Sequence, residues 1–138
     1  MDDLVKVASE WIQAVWNDKR LDWIERLAAP HCVFHDAAAT AAPEADRAQF
    51  RANVEALQSA VPDIQFHVDD AFACRDRVVL RVRVTGTHTG PGLPFAPSNR
   101  PFSIGGITMG RYEDGKLVEA WNCFDLLGLY TQLGRTLV

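Results

Sequence analysis

The sequence has no apolar run approaching the roughly 20 residues a membrane-crossing helix needs, and it opens on Met1-Asp2-Asp3, acidic where the leader of a secreted chain is basic. No membrane partner is expected, and a cytoplasmic location is. Positive charge is also scarce: 14 Lys and Arg stand against 18 Asp and Glu, for a formal net charge of -4. Nucleic acid is therefore not an expected partner, since gripping a phosphate backbone takes clustered cations that displace its counterions. Cysteine is sparse, and Cys32, Cys74 and Cys123 lie far apart among apolar neighbours. That pattern predicts buried free thiols, not disulfides or zinc ligands. His31 and His35 invite a metal reading, but four residues along a strand separate them by about 13 Å, too far to share one ion, so no metal is expected. There is no internal repeat, no low-complexity tail and no linker.

What the 138 residues do contain is one domain's worth of core, 48% hydrophobic and 23% charged, with a pattern that changes period part-way along. Leu4, Val7, Ala8, Trp11, Ile12, Val15 and Trp16 recur at helical spacing, and Leu21, Ile24 and Leu27 mark a second short helix ending before Pro30. Residues 31–36 read as a short strand, followed by a small-residue loop through Pro43. A third helix is expected over 44–60, with Phe50, Val54 and Leu57 on its inner face and Pro62 as its stop.

Beyond Pro62 the period becomes two. Ile64, Phe66 and Val68 alternate with polar residues, as do Val78, Leu80, Val82 and Val84, which predicts antiparallel strands with one apolar face. Residues 89–101 hold four prolines and two glycines and read as a long connection, of a length that often serves as a lid. A strand over 105–112, an Asp114-Gly115 turn and a strand over 117–124 form a hairpin. Asp125 then stands where it would cap a closing helical turn. Helices followed by strands imply an α+β fold, three N-terminal helices packed on one face of a curved antiparallel sheet. Such a cone leaves a hollow suited to a small hydrophobic molecule.

Three segments in this order, Val79-Leu80-Arg81-Val82-Arg83-Val84-Thr85-Gly86-Thr87-His88-Thr89-Gly90, Gly106-Ile107-Thr108-Met109-Gly110-Arg111-Tyr112-Glu113-Asp114-Gly115-Lys116-Leu117-Val118-Glu119-Ala120-Trp121-Asn122 and Phe124-Asp125-Leu126-Leu127-Gly128-Leu129-Tyr130-Thr131-Gln132-Leu133-Gly134, carry a family signal. Together the chain resembles the SnoaL-like polyketide cyclase and ester cyclase branch of the NTF2-like (cystatin-like) superfamily over nearly its whole length. The resemblance implies an NTF2-like cone, a hydrophobic ligand, no metal and no organic cofactor, and a homodimer formed through the outer sheet face. It also implies intramolecular aldol chemistry, with an Asp after the Trp of the last strand as acid/base and a His on the preceding strand in support.

This chain departs from that pattern, because the two positions hold Asn122 and Thr108. A carboxamide does not take up a proton at neutral pH, although it donates hydrogen bonds to an oxyanion. If the reaction survives, another group supplies the base. His88 has the strand parity of Val82 and Val84 and is the first candidate; its structural alternative is to fix the start of the Pro/Gly connection. Asp125 is the nearest carboxylate to Asn122 in sequence but is also a helix cap. His35 and Asp36 close the first strand, one of them facing inward, and Asp36 or Asp125 would serve if the reaction were water addition. The expected ligand contacts are Phe34, Phe50, Val54, Thr108, Tyr112, Trp121 and Phe124. By parity Trp121 also belongs with Ile107, Met109 and Cys123 to an apolar patch on the opposite face. A protein that only binds an apolar metabolite, and a related hydrolase or hydratase, stand as alternatives to the cyclase.

Overall fold

The computed structural model describes residues 2–36 and 44–135; the small-residue loop expected before Pro43 lies outside the described residues. Helix α1 (Asp2–Trp11) buries Ala8 and Trp11 and runs directly into a π-helical stretch, Ile12–Asn17, where Asp18 N donates to Gln13 O five residues back at 2.8 Å. The sequence reads here as one regular helix; the wider turn was not visible in it. Two side chains hold the irregular end. Gln58, buried on α3 (Arg47–Ala60), donates Nε2 to the carbonyls of Val15 and Trp16 at 2.9 and 3.3 Å, which as the last carbonyls of a helix lack intrahelical donors. The Asn17 amide accepts from Phe66 N at 2.7 Å and donates to Phe66 O at 2.9 Å, as a neighbouring strand would.

After α2 (Asp22–Leu27), strand β1 (Ala28–Asp36) starts three residues earlier than the sequence suggested, because Pro30 at a strand's start removes only one donor. Glu44–Ala45 is not helical but a two-residue strand, β2, paired with Phe34 and His35. Helix α3 begins only after Asp46, whose side chain accepts from Gln49 N at 2.8 Å. Strands β3 (Gln65–Cys74), β4 (Arg77–Thr87), β5 (Pro101–Glu113) and β6 (Lys116–Phe124) follow, and then α4 (Leu126–Gln132).

The six strands form one open sheet in the order β2-β1-β6-β5-β4-β3. Every pairing is antiparallel except β1 with β6, which is parallel. Tight turns join β3 to β4 and β5 to β6 and a longer connection joins β4 to β5, whereas β1 and β6 share no direct connection and are free to align in parallel. Register shifts at 68/70 and 111/112 bend the sheet. The helices cover its concave side, where Val78, Leu80, Val82 and Val84 of β4 are buried while Arg81 and Arg83 point out. The cysteines are all free, but only Cys32 is buried; Cys74 ends the edge strand and Cys123 has outward parity, so both are exposed. Burial pushes the Cys32 thiol up to about 12, which keeps it a neutral packing group. Among the described residues no helix is long and apolar enough to cross a membrane.

The connection between β4 and β5 is a strap and not a free lid. Its two ends pair, His88 N to Arg100 O at 3.0 Å and Asn99 N to His88 O at 2.8 Å, and its start is tied to α3 by Thr89 N and Gly90 N donating to Ala60 O at 3.2 and 3.0 Å. At Gly90 a Cβ would drive into the Ser59 carbonyl oxygen, so the strap lies backbone-on-backbone against α3 as only glycine permits. Gly90→Ala should therefore destabilise the chain by roughly 1–3 kcal/mol. Gly105→Ala, whose Cβ meets nothing within 4 Å, should stay within about 0.5 kcal/mol of the parent. Urea unfolding of the two variants side by side checks the contrast.

Candidate functional site

Between the concave face and the helices lies a hollow in two lobes, one of about 310 Å³ and a deeper one of about 70 Å³. Stacked rings form the wall they share. Phe34 of β1 and Phe50 of α3 lie face to face at 3.9 Å, Trp11 stacks on both at 6.5 and 6.1 Å, and Trp16 stacks on Phe66 at 4.4 Å. Phe124 meets Phe66 edge-on at 5.9 Å and borders both lobes. Val54 and Leu57 of α3, Leu93 of the strap, Phe102 and Ile104 of β5, and Leu129 and Tyr130 of α4 complete the larger lobe.

Polar groups in this wall are few. Thr108 and Asn122 are cross-strand partners on β5 and β6, and Asn122 lines both lobes while Thr108 lines the deeper one. Among the described residues neither the Asn122 amide nor the Thr108 hydroxyl has a hydrogen-bond partner, so both present unused donors and acceptors to the hollow. Tyr112 is buried beside the deeper lobe, and burial pushes its hydroxyl pKa upward, which leaves it a neutral donor. Asp36 stands beside Asn122 in the β1–β6 register and lines the larger lobe. Both residues also edge a shallow groove on the outer face with His35, Glu44 and Ile107, so they sit where the chamber opens.

Of the residues singled out from the sequence, Phe34, His35, Asp36, Phe50, Val54, Phe124 and Asn122 border the larger lobe and Thr108 and Tyr112 the deeper one. Trp121 does not face the ligand space: it lies on the outer face, stacked on His35 at 5.3 Å with the Arg77 guanidinium 5.3 Å from its ring. The His35 ring lies against it while the residue also borders the larger lobe, and its Nε2–H donates to Glu119 Oε2 at 2.7 Å. His88 is fully buried at the base of the strap and lines neither lobe. Its Nδ1 accepts from Ser98 N at 3.1 Å, which places the ring proton on Nε2, and Phe95 meets the ring edge-on at 5.5 Å. Asp125 caps α4 by accepting from Gly128 N at 2.8 Å. The structure thus brings Asn122 and Thr108 together, with His35 and Asp36 at the border of the larger lobe, and leaves His88 and Asp125 elsewhere.

Several lining residues were missed in the sequence although their signal was there. Phe102 and Ile104 alternate with Ser103 and Gly105, extending the parity of β5 back to Pro101, and Leu126, Leu129 and Tyr130 keep a helical stripe after Asp125. No cluster of three or more His, Cys, Asp or Glu among the described residues is placed to hold a metal.

With this geometry in place, the comparisons decide the family. The SnoaL-like polyketide cyclase family model matches residues 6–133. The chain belongs to that family. AclR of Streptomyces galilaeus, provisionally assigned as a hydroxylase, is similar at 30% identity over 96% of this chain and 82% of that one, with a TM-score of 0.83. IdmH of Streptomyces antibioticus, provisionally assigned as a polyketide cyclase, is similar at 28% identity over 94% of this chain and 96% of that one, with a TM-score of 0.81. TsrD of Streptomyces laurentii is similar at 27% identity over 95% and 94%, with a TM-score of 0.81. No curated protein sequence gives a match.

On the outer side of this SnoaL-like wall, Glu119 also accepts from Arg111 Nη2 at 3.3 Å. The His35 hydrogen bond first, and Arg111 second, hold the Glu119 carboxyl below its ordinary 4.5. A depressed folded-state value adds stability that is present above the unfolded value and is lost as pH falls through the folded one. Glu119→Gln should therefore lower stability near neutral pH, and its deficit against the parent should shrink as pH drops below about 4. Urea midpoints between pH ~3 and ~7 would check this; a deficit independent of pH would contradict it.

Proposed function

We propose that this chain is an enzyme of cyclase or isomerase type that performs acid–base chemistry on a small hydrophobic carbonyl compound held in the larger lobe. The observation that carries this reading is the unpartnered Asn122 amide in a chamber walled mostly by aromatic and aliphatic side chains. An apolar ligand fills such a space by displacing water, and a carbonyl oxygen on it finds a donor in the Asn122 amide. When an α proton leaves the ligand, negative charge gathers on the carbonyl oxygen, and a fixed N–H aimed there stabilises the enolate in a site with little competing water. The enolate carbon then attacks a second carbonyl, or is reprotonated elsewhere in an isomerisation. Neither route consumes an oxidant or needs a metal.

The fold alone does not choose the reaction, since AclR and IdmH carry different assignments on it; the side chains at 108 and 122 do. Their replacement of an acid and a histidine also favours a second reading, in which the chamber binds an apolar metabolite without turning it over. A related hydrolase or hydratase reading would require a water-activating carboxylate at the same place.

Incubation with a panel of aromatic polyketide-type substrates, followed by product analysis, separates the first two readings. We expect turnover by the native chain and a fall of about 10²- to 10³-fold in Asn122→Leu, the usual effect of removing one oxyanion donor. Cyclase activity in Asn122→Asp with none in the native chain would establish the binding reading instead.

The same proposal includes a twofold dimer in the cytoplasm. Ile107 is 51% exposed and Phe72 59%, on an outer face that also carries Met109 and Trp121. Light scattering at micromolar concentration should give twice the chain's mass and Ile107→Glu should halve it; a monomeric native chain would end the claim.

A further inference from the structure

We propose that the deeper lobe is a subsite for an oxygen substituent on the ligand's ring, with Tyr112 as the residue that selects it. The substrate is then a ring compound with two oxygens, a carbonyl at Asn122 and a hydroxyl or second carbonyl beyond it. This rests on the reading of the chamber as a ligand site given above. Size is the first constraint. A cavity of about 150 Å³ takes up a benzene ring, so a lobe of about 70 Å³ receives a substituent of a few atoms and not a second ring. Chemistry is the second. Thr108, Tyr112 and Asn122 line this lobe with two hydroxyls and an amide, and none of the three has a hydrogen-bond partner among the described residues. An apolar substituent seated there would take water from these groups and give nothing back, whereas an oxygen satisfies them.

The local sequence explains how Tyr112 reaches the lobe. Thr108, Gly110 and Tyr112 share inward parity on β5. Because position 110 has no side chain, the Tyr112 ring lies back along the strand over it: a Cβ there would stand 3.2 Å from Tyr112 Cε1 and 3.7 Å from Cζ. The end of the ring that carries the hydroxyl is thus brought toward Thr108, which is itself the cross-strand partner of Asn122. Burial first, and the Cys32 thiol second, raise the Tyr112 pKa, so the phenol stays protonated and donates. The Thr108 hydroxyl both donates and accepts, so between them the two side chains serve a ligand carbonyl or a ligand hydroxyl. Asn122 lines both lobes, and its carboxamide carries two N–H donors and one acceptor, enough to serve an oxygen on each side. A site built to hydrogen-bond a hydroxyl discriminates against the analogue that lacks it, which makes Tyr112 a specificity residue and not a catalytic one.

The test is calorimetric titration of 1-tetralone and its 5-, 6- and 7-hydroxy derivatives into the native chain, Tyr112→Phe and Thr108→Val. The parent ketone, with one oxygen, reads the larger lobe and reports whether each variant keeps its chamber. At least one hydroxy isomer should bind the native chain roughly 3- to 10-fold more tightly than 1-tetralone, the usual net worth of one hydrogen bond. Tyr112→Phe should lose that gain while binding 1-tetralone within threefold of the native value, and Thr108→Val should lose part of it. No gain for any isomer, or a gain that survives Tyr112→Phe, would overturn the subsite and leave the acid–base reading of the larger lobe intact. A gain erased by Tyr112→Phe in a chain that turns over none of these ketones would support the subsite while the acid–base reading failed alone. If Tyr112→Phe no longer binds even 1-tetralone, Thr108→Val decides, and an undiminished gain there overturns the proposal. A native chain that binds none of the four ketones would overturn both readings.

Discussion

The separation between helices and sheet is set by aromatic rings, and everything else in the interior follows from it. Phe34 against Phe50 ties α3 to β1, Trp11 joins α1 to that stack, and Trp16 against Phe66 ties the π-helical stretch to β3. Rigid planes of this size cannot collapse into the space beside them as aliphatic chains would, and each stacked pair adds about 0.5–1.5 kcal/mol beyond the area it buries. The helices are braced at a fixed distance from a bent sheet, and the volume left between the braces is the chamber. Its lining forfeits contacts that a filled core would make, so the unfilled state is one a ligand of matching shape improves.

Strand parity then sorts chemistry onto two faces. Along β6, Leu117, Ala120, Asn122 and Phe124 look into the cone, while Glu119, Trp121 and Cys123 look out. The inner set of β6 is apolar but for the Asn122 amide, with Thr108 beside it on β5. The outer set carries the ion pairs of Arg111, Glu119 and His35 and the Trp121 platform beneath Arg77. A one-residue slip of β6 would exchange the two sets, and the hairpin at Asp114-Gly115 is what forbids it.

Much of this was legible in the residues because period and parity are local. The alternation in β4, the Asp-Gly turn, the facing of Thr108 and Asn122 and the capping place of Asp125 all follow from near neighbours in the chain. What was not legible depends on contacts distant in sequence. His88 shares parity with the apolar row of β4, yet β4 ends at Thr87 and the backbone turns into the strap, so its ring closes against Ser98 and never reaches the chamber. His35 and Asp36, expected to face opposite ways, both stand at the chamber's edge, bordering the larger lobe and the outer groove alike. The π-helical stretch depends on Gln58 and Phe66, more than forty residues away, and no spacing within residues 12–17 announces it. Trp121, expected both as a ligand contact and by parity on the opposite face, follows its parity and lies outside.

The parallel alignment of β1 with β6 has a consequence for how the molecule comes to exist. Residues 33–36 find their neighbours at 119–122, so one wall of the chamber is joined across most of the chain, and closing so long a loop is entropically slow. During synthesis the oily side of β1 and α1 must wait, uncovered, until those distant residues have been made. The corner of the chamber at Asp36 and Asn122 is then assembled in the same event that shelters the first third of the chain, which couples possession of the chamber to completion of the fold.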